Sequence, residues 1–272
     1  MTRRALAWEL RKLAAQRRTY LGIGAAAAAP VVLAVAIVVH PPQPTDSGIP
    51  FFLRFAVQSG FAIPPLALLF SALFLLPLVT ALVAGDIVAS EDGNRTLKTI
   101  LTRSTSRSSI FAAKVAAAFA YVLCAVAAMG VAGTIAGGLA SGFHPLPTFS
   151  TVISPSRAVA LIVGSFTVYT FPALGLAAVG ILLSTVSRNS AAAVVGTLMV
   201  ALLEQLTQIV PVLDGPAAQR WMLTTQLDAW ETLFRTPLDW APIVHAAYVS
   251  AVYAVAALAV AWVHFVRRDI TG

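Results

Sequence analysis

Long apolar runs alternate with short polar ones along this chain. Six of the runs are long enough to cross about 30 Å of hydrocarbon as helices rising about 1.5 Å per residue. They fall near residues 20–39, 61–85, 110–139, 158–184, 191–213 and 243–265. The second contains Pro64, Pro65 and Pro77, which predicts a tight start and a kink within it. The third carries Gly133 and Gly137 at small-xxx-small spacing, a packing signal that arises easily in so Ala- and Gly-rich a sequence. Ahead of the first run, residues 3–20 read as one amphipathic helix. Leu6, Leu10 and Leu13 follow i, i+4, i+7, and Arg4, Arg11 and Arg18 repeat every seven residues on another face. With Trp8 and Tyr20 suited to the headgroup zone, residues 1–19 are expected to form an interfacial helix, or else a short basic tail that only sets topology. The connections 40–60, 141–157 and 214–242 are longer. In 214–242, the stretch WMLTTQLDAWETLF is expected to be a helix half-dipped in the interface, its tryptophans at headgroup level.

Composition fits this pattern. The chain has 272 residues, 58% hydrophobic and 11% charged, too little charge to cover a soluble domain of that length. The net charge of +7 does not point to nucleic acid, because the basic residues sit beside apolar runs. Of 18 Lys and Arg, 14 fall on the side of the N-terminus in a six-span arrangement and 4 (Arg54, Arg157, Arg220, Arg235) on the other. The positive-inside bias therefore predicts both termini in the cytoplasm. Arg outnumbers Lys by 15 to 3, as in GC-rich bacterial genomes, so a bacterial plasma membrane is expected. The single cysteine, Cys124, excludes an intramolecular disulfide.

Chemistry-bearing motifs are few. There is no Gly-Lys dipeptide for a P-loop and no His-Glu-x-x-His, and no serine, histidine and carboxylate share a helical face. No metal, bound cofactor or enzymatic activity is expected of this chain. Two polar features stand out. Glu204 lies roughly midway along the fifth run and shares a helical face with Thr207 and Gln208. A carboxylate there costs about 2.5–3.5 kcal/mol on insertion scales, so it is expected to face protein or a wet cavity. It is either part of a translocation path or a structural carboxylate hydrogen-bonded across helices, or the span ends earlier than drawn. The other feature is the polar island 86–109, DIVASEDGNRTLKTILTRSTSRSS. Its acidic cluster of Asp86, Glu91 and Asp92 precedes a helix-compatible run with Leu97, Ile100 and Leu101 as an apolar ridge, the composition of a docking surface.

Residues Asp86, Glu91, Gly93, Thr96-Leu97, Leu101 and Ser106-Arg107, ahead of Lys114, resemble the type-2 ATP-binding-cassette permease family. Members of that family carry an Asp, a Glu, a Gly, a Thr-Leu pair, a Leu and a Ser-Arg before a Lys that opens the third span. Here Asn94-Arg95 separate Gly93 from Thr96, where many members have the Thr directly, and Ser104-Thr105 stand where Pro is frequent. The six-span plan, the N-terminal interfacial helix, the outer dipping segment and the basic ending Arg267-Arg268 resemble the family over residues 1–272, a single permease domain. The resemblance implies an all-α membrane protein whose two subunits, alike or different, each rest on a separate cytoplasmic ATPase. ATP and Mg are held on that partner, not here. It also implies a coupling helix at about Glu91–Leu101, with Asp86, Glu91, Asp92, Gly93, Thr96, Leu97, Ile100, Leu101 and Arg107 as ATPase-coupling residues. The implied function is export of drugs, lipids or peptides; the alternative is a regulatory or sensory membrane subunit that relays ATPase movement without transport.

Overall fold

A computed structural model describes residues 3–42, 51–93, 106–147, 152–187, 189–209 and 216–267. The protein is mostly α-helical. An amphipathic α1 (Arg3–Ala14) turns at Ala15-Gln16 into α2 (Arg17–Val39). A short α3 (Phe51–Phe55) and a 3-10 turn (Gly60–Ala62) lead into α4 (Ile63–Leu73) and α5 (Leu75–Ala84), followed by the short α6 (Ala89–Gly93). The long α7 (Arg107–Ser141) ends at a two-stranded hairpin, β1 (Leu146–Pro147) and β2 (Val152–Ile153), paired antiparallel with Leu146 opposite Ile153. Then come α8 (Pro155–Ser187), α9 (Ser190–Ile209), α10 (Pro216–Gln219), a 3-10 segment (Thr224–Phe234) and α11 (Ala241–Arg267).

Among the described residues, 5 helices (α2, α7, α8, α9 and α11) are long and apolar enough to cross a membrane, which fits a multi-pass membrane protein. The region expected as one second span is instead a pair, α4 and α5, bent by 63°. The cause is local. Pro64 and Pro65 stand in the first turn of α4, where no amide donor is needed. Pro77 stands in the first turn of α5, and a continuous helix would set its ring against the carbonyl of Leu73. The chain breaks at Phe74 (φ −141°, ψ −47°). The break leaves carbonyls of the last turn of α4 without helical partners. One of them, Ala72 O, accepts a 2.9 Å hydrogen bond from Gln205 Nε2 of α9, a nearly buried amide.

Helix α8 is the hub, packed on α11, α7, α5, α9 and the 3-10 segment. Its most apolar window is 61% buried against 17% for α9, so α9 keeps most of its surface outward. The small residues of α7 are used in packing. Gly137 meets the backbone of Gly60 so closely that a Cβ on either would overlap the other's carbonyl, and Gly60 N donates to Gly142 O at 2.9 Å. A Cβ on Gly133 would come within 3.2 Å of Pro64 Cα and of Pro30 Cβ. Gly133 and Gly137 thus mark the face where α2 and the start of α4 seat against α7.

Two sequence expectations need correction. Residues 3–20 do not form one helix: α1 stops at Ala14, and Leu6, Glu9 and Leu13 face inward while Leu10 is exposed. The stretch 224–234 is 3-10 rather than a regular α-helix, and Trp230 is fully buried within the protein rather than turned outward. Its ring packs 5.7 Å from Phe52 and 6.2 Å from Phe234. Trp221 and Trp240 do lie exposed.

Candidate functional site

The strongest concentration of charge lies where α1, α2, α5, α6 and α7 converge. Lys114, about two turns into α7, has no exposed surface. Its ammonium donates to Glu9 Oε1 of α1 at 3.0 Å and to the Ile87 carbonyl at 3.3 Å, and it lies 2.6 Å from Glu91 Oε1 of α6. Lys12 of α1 pairs with the same Glu91 and lies 3.8 Å from Glu9. The four groups balance, two carboxylates against two ammoniums. A fully buried cation is tolerable only with that compensation, since an unpaired ion in a low-dielectric interior costs several kcal/mol.

A second pair sits beside the first. Asp86, at the end of the α5 turn, is 2% exposed and pairs with Arg18 in the first turn of α2; Ser190 Oγ, opening α9, donates to its other oxygen. Gln16 Oε1 accepts from Arg18 Nε at 3.0 Å and from Nη2 at 2.9 Å, which aims the guanidinium inward across the α1–α2 turn. Between the acids, the amides of Val88 and Ala89 both donate to Ser184 Oγ of α8, at 3.1 and 3.0 Å. One hydroxyl thus satisfies two otherwise orphaned donors at the start of α6. Close backbone contact completes the joint: a Cβ on Gly85 would stand 2.9 Å from Val194 Cα of α9, so α5 and α9 touch there without side chains between them.

On the other side of residues 94–105, Arg107 opens α7 and its Nη1 donates to Val266 O at 2.8 Å, in the last turn of α11. A guanidinium at a helix C-terminus satisfies a free carbonyl and complements the helix dipole. Trp262 Nε1 donates to Ser108 Oγ at 3.2 Å, and the rings of Phe111 and Phe265 stack 5.5 Å apart, so the first turn of α7 is fastened to the end of α11.

The sequence-predicted coupling residues divide accordingly. Asp86 and Glu91 are both buried, not displayed on a docking surface; Asp86 pairs with Arg18 of α2, and Glu91 with Lys12 of α1 and Lys114 of α7. Asp92 and Gly93 lie in α6 (Ala89–Gly93). Thr96, Leu97, Ile100 and Leu101 lie outside the described residues. Arg107 donates to the last turn of α11. Sequence reasoning missed Glu9, Lys12, Arg18, Ser184 and Ser190 as members of this site. Glu9 carried one usable signal, as the sole acid among the first 20 residues.

Glu204, Thr207 and Gln208 do share a face of α9; residues 210–213 of the expected fifth span lie outside the described residues. Glu204 Oε2 accepts from Thr224 N at 2.9 Å, the first amide of the 3-10 segment, and Oε1 accepts from Tyr253 OH of α11 at 3.3 Å. Thr207 Oγ1 lies 2.8 Å from Met222 Sδ, and Gln208 Nε2 donates to Thr224 and Thr225 at 3.2 Å. Together they hold the 3-10 segment to α9. A carboxylate at the free amides of a helix start is favoured by the dipole, so the structural expectation for Glu204 accounts for all of its contacts. Further along the 3-10 segment, desolvation by the surrounding protein pushes the Asp228 carboxyl above its ordinary range, although the residue keeps an exposed edge. Glu231 is pushed up by burial and by Asp228, and drawn down by Arg235.

No group of three or more His, Cys, Asp or Glu able to hold a metal ion occurs among the described residues. No curated protein matches the chain. Residues 31–271, which include all of the site except α1 and the first half of α2, match the family described as "Protein of unknown function (DUF2705)", and the chain belongs to that family.

Proposed function

We propose that this chain is the permease subunit of an ATP-driven transporter of the type-2 ATP-binding-cassette class. It works with a separate ATPase chain and a second permease subunit, and exports an amphiphilic or hydrophobic compound. In this reading α4 and α5 form one broken second span, giving six in all in a bacterial plasma membrane, with both termini cytoplasmic. α1 lies at the inner interface, the 3-10 segment lies at the outer one, and residues 91–101 meet the ATPase.

One observation carries the reading. The polar stretch 94–105 is flanked by two fastenings that together reach most of the bundle. Before it, Asp86 and Glu91 are tied to α1, α2, α7 and α9; after it, Arg107 is tied to α11. A force on such a stretch is delivered to helices rather than absorbed by a loose loop. A partner shifts a two-state protein only through contacts that differ between the states, and buried ion pairs at the roots of the stretch make those contacts stiff. Glu204, Thr207 and Gln208 belong, in the same reading, to the outer end of the path, where they would move with the 3-10 segment. The apolar stripe Val195, Met199, Leu203 and Leu206, exposed along α9, is a surface for the second subunit.

The test is purification of the full chain with candidate ATP-binding proteins, followed by reconstitution into vesicles. The expected result is a stable complex whose ATP hydrolysis rises with an exported compound and whose vesicles move that compound with ATP. A complex with ATP hydrolysis but no movement of any compound would favour the regulatory alternative. Absence of any ATPase partner would refute both.

A further inference from the structure

The first 20 residues carry six basic side chains and one acid, and the fold sorts them by face. Lys12 and Arg18 turn inward and pair with Glu91 and Asp86, and the one acid, Glu9, is buried against Lys114. The other four, Arg3, Arg4, Arg11 and Arg17, are exposed. None of the four has an ion pair with any described residue. Arg4, Trp8 and Arg11 follow i, i+4, i+7, which stacks an indole, 63% exposed, between two guanidiniums on one outward face. Tyr20 and Leu21, 63% and 71% exposed, stand in the first turns of α2, whose Val31, Val32, Val35, Val38 and Val39 are also exposed.

Intramolecular physics gives no reason for this arrangement. Arg3 and Arg4 stand in the first turn of α1, and Arg17 in the first turn of α2, where a cation opposes the helix dipole and no acid offsets it. Four guanidiniums without an ion pair to any described residue, a tryptophan between two of them, and exposed apolar side chains on the helix that follows match one kind of surface: anionic headgroups above acyl chains. Guanidinium binds phosphate bidentately, and indole sits at the boundary between headgroup and chain.

We propose that the outward face of α1 and the α1–α2 turn form a binding site for anionic phospholipid, with Arg4, Trp8 and Arg11 at its centre and Arg3 and Arg17 at its edges. The site rests on the membrane reading of the chain and not on its coupling to an ATPase. The inner face of α1 holds the charge cluster, so a lipid held on the outer face bears on the joint from which the polar stretch departs.

The full-length protein is purified with an equimolar mixture of phosphatidylglycerol and phosphatidylcholine, and the lipids it retains are counted by native mass spectrometry. Wild type is expected to enrich phosphatidylglycerol. The variant R3Q/R4Q/R11Q/R17Q is expected to lose up to about five-fold of that enrichment for each arginine, equivalent to about 1 kcal/mol per basic group at a charged leaflet. Arg220→Gln, an exposed arginine at the far end, is expected to change nothing. Lysine at the same four positions keeps charge and should keep most of the enrichment. Should the quadruple variant not fold, the pairs R3Q/R4Q and R11Q/R17Q are read in the same way. Equal retention of the two lipids by wild type overturns the proposal. So does an unchanged ratio in the glutamine variants, or a flat lipid ratio with an acidic protein bound instead. None of these readings involves ATP or transport, so the lipid site and the permease assignment fail independently.

Discussion

At the scale of residues, Lys114 is the most demanding group in the protein. It is a fully buried ammonium whose partners come from α1 and α6, far apart in sequence. Removing it would leave two buried carboxylates to share Lys12. Lys114→Met is therefore expected to destabilise the protein by about 3–5 kcal/mol, the range for breaking a buried pair, read from equilibrium unfolding in detergent. Because the double change removes the Glu9 carboxylate together with the cation that faces it, E9Q/K114M should cost clearly less than the two single changes added together. Simple additivity would mean that the two groups do not act as one unit. The same principle explains why the acids of the polar island could be recognised but not placed. Composition marked Asp86 and Glu91, while their partners Arg18, Lys12 and Lys114 belong to other segments and look in the sequence like ordinary membrane-flanking bases.

At the scale of elements, two junctions decide local geometry. The α4–α5 bend follows from Pro77, and its freed carbonyl is met by Gln205. Gln205→Leu leaves Ala72 O buried without that donor and is expected to cost about 1–3 kcal/mol. Hydrogen exchange should rise at the bend and not in α8; uniform exchange would show that the bend does not depend on Gln205. The 3-10 segment gives a pH test. Partial desolvation raises the carboxyls of Asp228 and Glu231 above their ordinary range, so the folded state binds these protons more tightly than the unfolded chain. Their contribution to stability is thus most favourable below the ordinary carboxylate range. It declines as pH rises through that range to the raised values. The stability of wild type relative to D228N/E231Q should therefore fall with rising pH over that window and level off above it. A difference that rises with pH would contradict the assignment. The proline kink was foreseeable because it is covalent and local. The burial of Trp230 was not, since it depends on Phe52 and Phe234 closing around it.

At the scale of the molecule, α8 forms the centre and the polar stretch is rooted on both sides. If that arrangement transmits force, its two fastenings are separable. Arg107→Ala removes a charged hydrogen bond from the end of α11, a loss of about 1.5–3 kcal/mol, and leaves the Lys114 cluster intact. In a reconstituted complex with an ATPase it should reduce substrate-stimulated ATP turnover more than it reduces basal turnover. An equal effect on both would mean that Arg107 is only structural.

The apolar runs determined the helices. Five of the six expected spans coincide with long helices to within about four residues at each end, because hydropathy and the length needed to cross a bilayer are local properties. Local chemistry likewise located the proline break and the polar island. What only the tertiary structure decided is the facing of each polar side chain. It set which of six N-terminal cations pair inward and which stay outside, that Glu204 holds the 3-10 segment, and that Ser184 serves α6. The reason is physical: a charge in a dry interior takes its position from whichever counter-charge the packing brings within a few ångströms, and those partners lie up to 105 residues away along the chain.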